Sequence, residues 1–74
     1  MTMTTAQKNS HKLNLIAEAG STYCVRKYAS AWVPVAVVGG KVFTGPHCST
    51  SGGAMDRAIN LCAARSAAVL EVAQ

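Results

Sequence analysis

Three cysteines (Cys24, Cys48, Cys62), two histidines (His11, His47) and three carboxylates (Glu18, Asp56, Glu71) are the side chains of this 74-residue chain suited to catalysis or metal binding. His47 and Cys48 are adjacent, inside the Gly/Ser-rich stretch GPHCSTSGG at 45–53. A thiol nucleophile needs an imidazole within hydrogen-bond reach and a third group to orient it. Neighbouring residues in a Gly/Ser loop seldom hold that geometry, whether His47 or His11 is the base. A structural zinc needs four well-spaced ligands. The chain has no CxxC pair, and adjacent His47-Cys48 is a poor start for a tetrahedral site. An odd number of cysteines also argues against a closed disulfide framework. Reduced thiols follow, with Cys24 and Cys62 partly buried as small hydrophobes. Three carboxylates leave little for paired acid–base work, and the 45–53 loop lacks the lysine of a phosphate-binding P-loop. The expectation is a non-enzyme with no cofactor and no metal.

The remaining chemistry is that of recognition. Seven Lys and Arg against three Asp and Glu give a net charge of +4, a field that favours acidic partners. The basic residues are scattered, with Arg26-Lys27 the one adjacent pair. Two surfaces stand out. If Val33, Val35 and Val37 point inward, Trp32, Pro34, Ala36 and Val38 point outward and share a face with Cys24, Arg26 and Tyr28. A Trp, a Tyr and an Arg together have the composition of a protein-binding hot spot. The same face, read through Arg26, Lys27, Tyr28, Trp32 and Lys41, could instead stack and grip nucleic acid. A third alternative has the N-terminal segment folding over this face and burying Trp32 as core. The second surface is a helix flank with Arg57, Leu61 and Arg65 at helical spacing, unless Leu61 simply widens the core stripe.

These residues need elements to position them. Polar, aperiodic 1–9 reads as a disordered tail ahead of a single domain at 10–74. The segment 10–19 is either a short helix capped by Ser10 and ended by Gly20, or a strand with alternating Leu13, Leu15 and Ala17. Alternation and β-formers predict strands at 22–28 and, dense in valine, at 32–38, joined by a short Ala29-Ser30-Ala31 connection. Pro34 must sit at an edge, at a bulge or on an unpaired side, because it has no ladder donor. Gly39-Gly40 signals a two-residue hairpin, since both central positions of the favoured turn need positive φ, and a third strand returns over 41–44. Thr50 or Ser51 caps the C-terminal helix, predicted over 54–73. On it, Met55, Ala58, Ile59, Cys62, Ser66, Val69, Leu70 and Ala73 form one stripe. The fold class is α+β. A small antiparallel sheet of three strands, or four if 10–19 is a strand, carries a C-terminal helix on one face.

Half the residues are apolar and 14% are charged, which does not fit a disordered chain. A chain of this length buries only about 60% of its surface. A small core with a spare apolar face favours association, including a homodimer. The longest apolar run, 31–38, contains Pro34 and is too short to cross a bilayer. No leader pattern opens the chain, so a cytoplasmic protein is expected.

The element order is similar to that of the double-stranded RNA-binding domain, α-β-β-β-α. That family opens its last helix with a basic cluster, whereas the corresponding stretch SGGAMDR (51–57) carries one arginine and one acid. In size, layout and the Ala-rich helix after a Gly/Ser loop (SGGAMDRAINLCAARSAAVL), the chain resembles small phage-encoded accessory proteins, including anti-CRISPR proteins. That resemblance is one of format, carried by no residue motif. It implies non-catalytic binding to a host protein or ribonucleoprotein complex that blocks access to nucleic acid. On this reading the partner-binding residues are Arg26, Tyr28, Trp32, Arg57, Leu61 and Arg65.

Overall fold

The segment that reads as helix or strand is a helix, and it starts upstream of Ser10. In the computed structural model, which describes residues 5–72, α1 runs Thr5–Ala19. Ser10 therefore lies inside the helix and caps nothing. Of the expected 1–9 tail, 5–9 are helical and 1–4 lie outside the described residues. The stop is the expected one. Gly20 takes a φ of 68°, its N–H donates to the carbonyl of Ala17, and the N–H of Ser21 donates to that of Ile16 (3.1 and 2.9 Å). This is a glycine-terminated Schellman cap.

Three strands follow: β1 (Thr22–Tyr28), β2 (Ala31–Val38) and β3 (Lys41–Thr44). They form one antiparallel sheet in the order β1-β2-β3. Gly39 and Gly40, at φ 60° and 78°, make the two-residue turn between β2 and β3, as the dipeptide predicts. The first turn is tighter than expected. Tyr28 pairs with Ala31, so Ala29 and Ser30 alone form the turn, and Ala29 takes a positive φ of 52°.

That single residue reverses the faces. A three-residue loop would put the odd-numbered residues of β1 and β2 on one side. The two-residue loop pairs Cys24 with Val35, Arg26 with Val33 and Val25 with Pro34. Directly paired residues share a face, so Tyr23 and Val25 lie with Pro34, Ala36 and Val38. The helices cover this side. Ile16 of α1, Ala36 and Val38 of β2, and Cys62 and Ala63 of the final helix α2 (Ser51–Val72) make the core, with Tyr23, Phe43, Ile59 and Leu61 packed on it. Val33, Val35 and Val37, expected beneath the helix, face away from it.

α2 opens three residues earlier than predicted. Thr50 is its cap, with Oγ1 accepting from the N–H of Gly53 at 3.0 Å, so Gly52 and Gly53 belong to the first turn. Ala54, Ala58, Cys62 and Ser66 recur every four residues and are buried. Met55 and Val69, assigned to the core stripe, are exposed at 39% and 41%. The seam of small side chains lets the helix approach the strand layer closely. Ser66 Oγ donates to Ser21 Oγ at 2.8 Å and the Cys62 thiol to the carbonyl of Thr22 at 3.4 Å, so the buried polar groups of this seam are satisfied. α1 packs against α2, where Lys12 Nζ donates to Asn60 Oδ1 at 2.6 Å. Among the described residues, no helix is long and apolar enough to cross a membrane.

Candidate interaction face

The sheet has one face without helices, and its residues follow from the register. β1 contributes Cys24, Arg26 and Tyr28; β2 contributes Val33, Val35 and Val37; β3 contributes Val42 and Thr44. The central strand is apolar on both faces. A strand with one wet side normally alternates apolar with polar, so the second row of valines needs an explanation.

A bulge shapes one wall of this face. The N–H of Gly45 donates to the carbonyl of Pro34 at 3.0 Å, and the backbones of Trp32 and Cys48 exchange two bonds of 2.9 and 2.7 Å. Between these two pairs, Val33 alone faces Pro46 and His47, a two-against-one arrangement that bends the strand. Pro34 thus sits in the central strand, with its missing N–H facing Gly45 beside the bulge. A Cβ on Gly45 would come within 2.8 Å of Pro34 Cγ, so this close crossing requires glycine.

The result is an open groove of about 580 Å³. Val33 and Val35 form its floor, Arg26 and Tyr28 one wall, and Val42, Thr44, Gly45 and His47 the other. The floor valines are only 6% and 5% exposed, although no helix covers them, because the walls enclose them. On the rim, Val42 is 66% exposed and Tyr28 53%. Arg26 lies on the surface beside Tyr28 and Cys24, whose hydrogen bonds, that of Tyr28 foremost, raise its pKa further. The three acidic side chains, Glu18, Asp56 and Glu71, are all on the helices. Comparison with protein families, curated proteins and solved structures finds no match for the chain, so the face has to be read from its own chemistry.

Of the six residues expected to bind a partner, the open sheet face holds Arg26 and Tyr28, while Arg57, Leu61 and Arg65 follow one another at four-residue spacing along α2. Trp32 projects from the opposite side, with Lys27 Nζ 5.3 Å from its ring centroid, because the two-residue turn pairs it with Lys27 and not with Tyr28. α1 does not cover the Arg26–Tyr28 face, since it packs on the helical layer. Leu61, between Arg57 and Arg65 at helical spacing, packs against the core. Arg65 lies 4.5 Å from the ring centroid of Phe43, beside a smaller hollow of about 390 Å³ that includes Lys41 and Val38. Arg57 is exposed on α2. The five residues of the nucleic-acid reading divide likewise: Arg26 and Tyr28 on one face, Lys27, Trp32 and Lys41 on the other.

His47 and Cys48 point apart. His47 lines the groove, while Cys48 pairs with Trp32 on the other side, its thiol 3.5 Å from the carbonyl of Pro46. Neighbours on opposite faces of a strand cannot form a nucleophile–base pair. Cys24, expected to be partly buried, is exposed. Among the described residues, no group of three or more His, Cys, Asp or Glu is placed to hold a metal ion. Sequence reasoning missed Val33, Val35, Val42, Thr44 and His47. The available signal was the loop length: taking Ala29-Ser30 as the turn makes paired positions sum to an odd number and puts the odd-numbered valines on the face of Cys24, Arg26 and Tyr28.

Proposed function

We propose that the chain is a small non-enzymatic protein-binding module that docks a partner on the open sheet face and acts as an inhibitor. The single observation behind this reading is the valine-floored groove between Arg26, Tyr28 and Val42. An apolar patch rimmed by polar groups is the usual mark of an interaction site, and aromatic and arginine side chains at its edge are the usual anchors. The format-level likeness to phage-encoded accessory proteins supports a target of the host-protein or ribonucleoprotein kind, with nucleic-acid access blocked by occupancy rather than by chemistry.

The test is capture from nuclease-treated bacterial lysate at moderate salt, with Val42→Asp and Arg57→Ala alongside the natural chain. Val42→Asp sets a charge in the groove wall at an exposed position, so stability should change by no more than about 0.5 kcal/mol. The natural chain and Arg57→Ala are expected to retain the same protein, and Val42→Asp to lose most of it. Capture that ignores Val42→Asp refutes the reading. Capture that disappears with nuclease would favour nucleic-acid binding, whose affinity falls steeply with salt.

A further inference from the structure

We infer that the groove takes an extended, acid-bearing apolar segment of a partner protein, with a carboxylate on Arg26 and aliphatic side chains over Val33 and Val35. This rests on reading the face as a docking surface, and it names the chemistry of what docks.

Size argues first, and against a second copy. Strands of seven, eight and four residues set about 4.8 Å apart span a plane of roughly 310 Å². Even doubled for the relief of its side chains, this stays below the about 800 Å² of accessible surface that each partner gives a standard stable interface. A single extended segment needs no more than this. Its alternate side chains recur about every 6.6 Å along one side, the interval at which Val33 and Val35 themselves are set on the floor.

Charge decides the rest. The groove residues able to carry charge are Arg26 and His47, and no carboxylate lines it. The acids of the chain all ride on the helices. A two-fold contact between copies would bring the same cationic patch to both sides, whereas an acidic segment complements it. Arg26 presents a planar fork suited to bidentate carboxylate binding, and its neighbour Tyr28 adds a hydroxyl donor. The aliphatic floor offers bases no stacking surface, and the rings of Tyr28 and His47 stand only at the walls, so a protein segment suits the groove better than a nucleic acid.

Titration of the isotope-labelled full chain, followed by amide NMR shifts, tests this with two blocked peptides. One is acetyl-Ile-Thr-Glu-Thr-Val-amide, whose Ile, Glu and Val share one side when extended; the other replaces Glu with Gln. The acidic peptide should shift the amides of Arg26, Val35, Val42 and Thr44 and bind at least about tenfold more tightly than the amide version. Arg26→Gln should erase that preference while leaving weak binding of both, and Val42→Asp should abolish both. Equal binding of the two peptides at these amides overturns the acid requirement and leaves the docking face standing. Shifts confined to the helical layer overturn both. Concentration-dependent shifts of the same amides without peptide, the sign of a second copy on this face, overturn the inference in favour of self-association.

Discussion

Cys62 shows how much one small side chain is asked to do. It is fully buried in the α2 seam, its thiol reaches the carbonyl of Thr22, and it belongs to the core cluster that joins both helices to β2. Burial raises its pKa above the ordinary thiol value of 9.0, with hydrogen bonding to Ser66 and Ser21 opposing part of the rise. The folded chain therefore holds this proton more tightly than the unfolded chain. Its contribution to stability is full below the ordinary thiol range and is lost as pH climbs through the raised value. In urea unfolding, the stability advantage of the natural chain over Cys62→Ala should shrink as pH rises from 7 past 9. A gap that stays constant across that range would show that the thiol proton is not coupled to folding.

At the scale of the elements, the junction of β2 with β3 is the most exacting. Pro34 is fully buried in the central strand, a position where proline removes a ladder bond. The sheet accommodates it by putting glycine opposite and a bulge immediately beyond. Gly45 is not at positive φ, so replacing it meets no backbone penalty, only the 2.8 Å approach to Pro34 Cγ. Gly45→Ala should therefore destabilise by about 1–3 kcal/mol, the range for overpacking a tight site. Pro34→Ala clears the space and restores a donor facing Gly45, so the added methyl should then cost at least about 1 kcal/mol less. A thermal-denaturation double-mutant cycle measures this coupling, and strictly additive effects would mean that the two residues do not constrain each other. Because the same bulge turns His47 into the groove, the double variant should also alter the wall of the interaction face.

Taken whole, the chain is a two-layer domain in which one layer holds every acid and the other presents an open, cationic, apolar face. A domain of this size has a total stability of about 4–11 kcal/mol at the usual increment per residue. Among the described side chains of α1, Ile16 is the one large side chain buried in the shared core, and Ile→Ala at such a site costs about 2–5 kcal/mol. Ile16→Ala should lower the melting temperature of the entire domain. Trp32 fluorescence and far-UV circular dichroism should report one coincident transition, although Trp32 lies in the sheet and not in α1. Separate transitions would show that α1 docks on an independently stable sheet–helix unit.

The local signals were sound wherever one short stretch of chain supplies the whole cause. Gly39-Gly40 determined its turn because only positive φ closes that hairpin, Gly20 determined the end of α1, and Thr50 and the Ala-rich run determined α2. The α+β class followed from these. The interaction face was not legible in the same way. Valines alternate with Trp32, Pro34 and Ala36 whichever side is buried, so periodicity alone left two assignments open, and the length of the first turn decided only which residues of β1 accompany each set. The sequence by itself determined which residues travel together on each strand. Tertiary structure alone decided which set meets the helices: the narrow Pro34–Ala36–Val38 side fits beneath a helix lined by Ala58, Cys62 and Ser66, and the wider valine row is left to face outward beside Arg26.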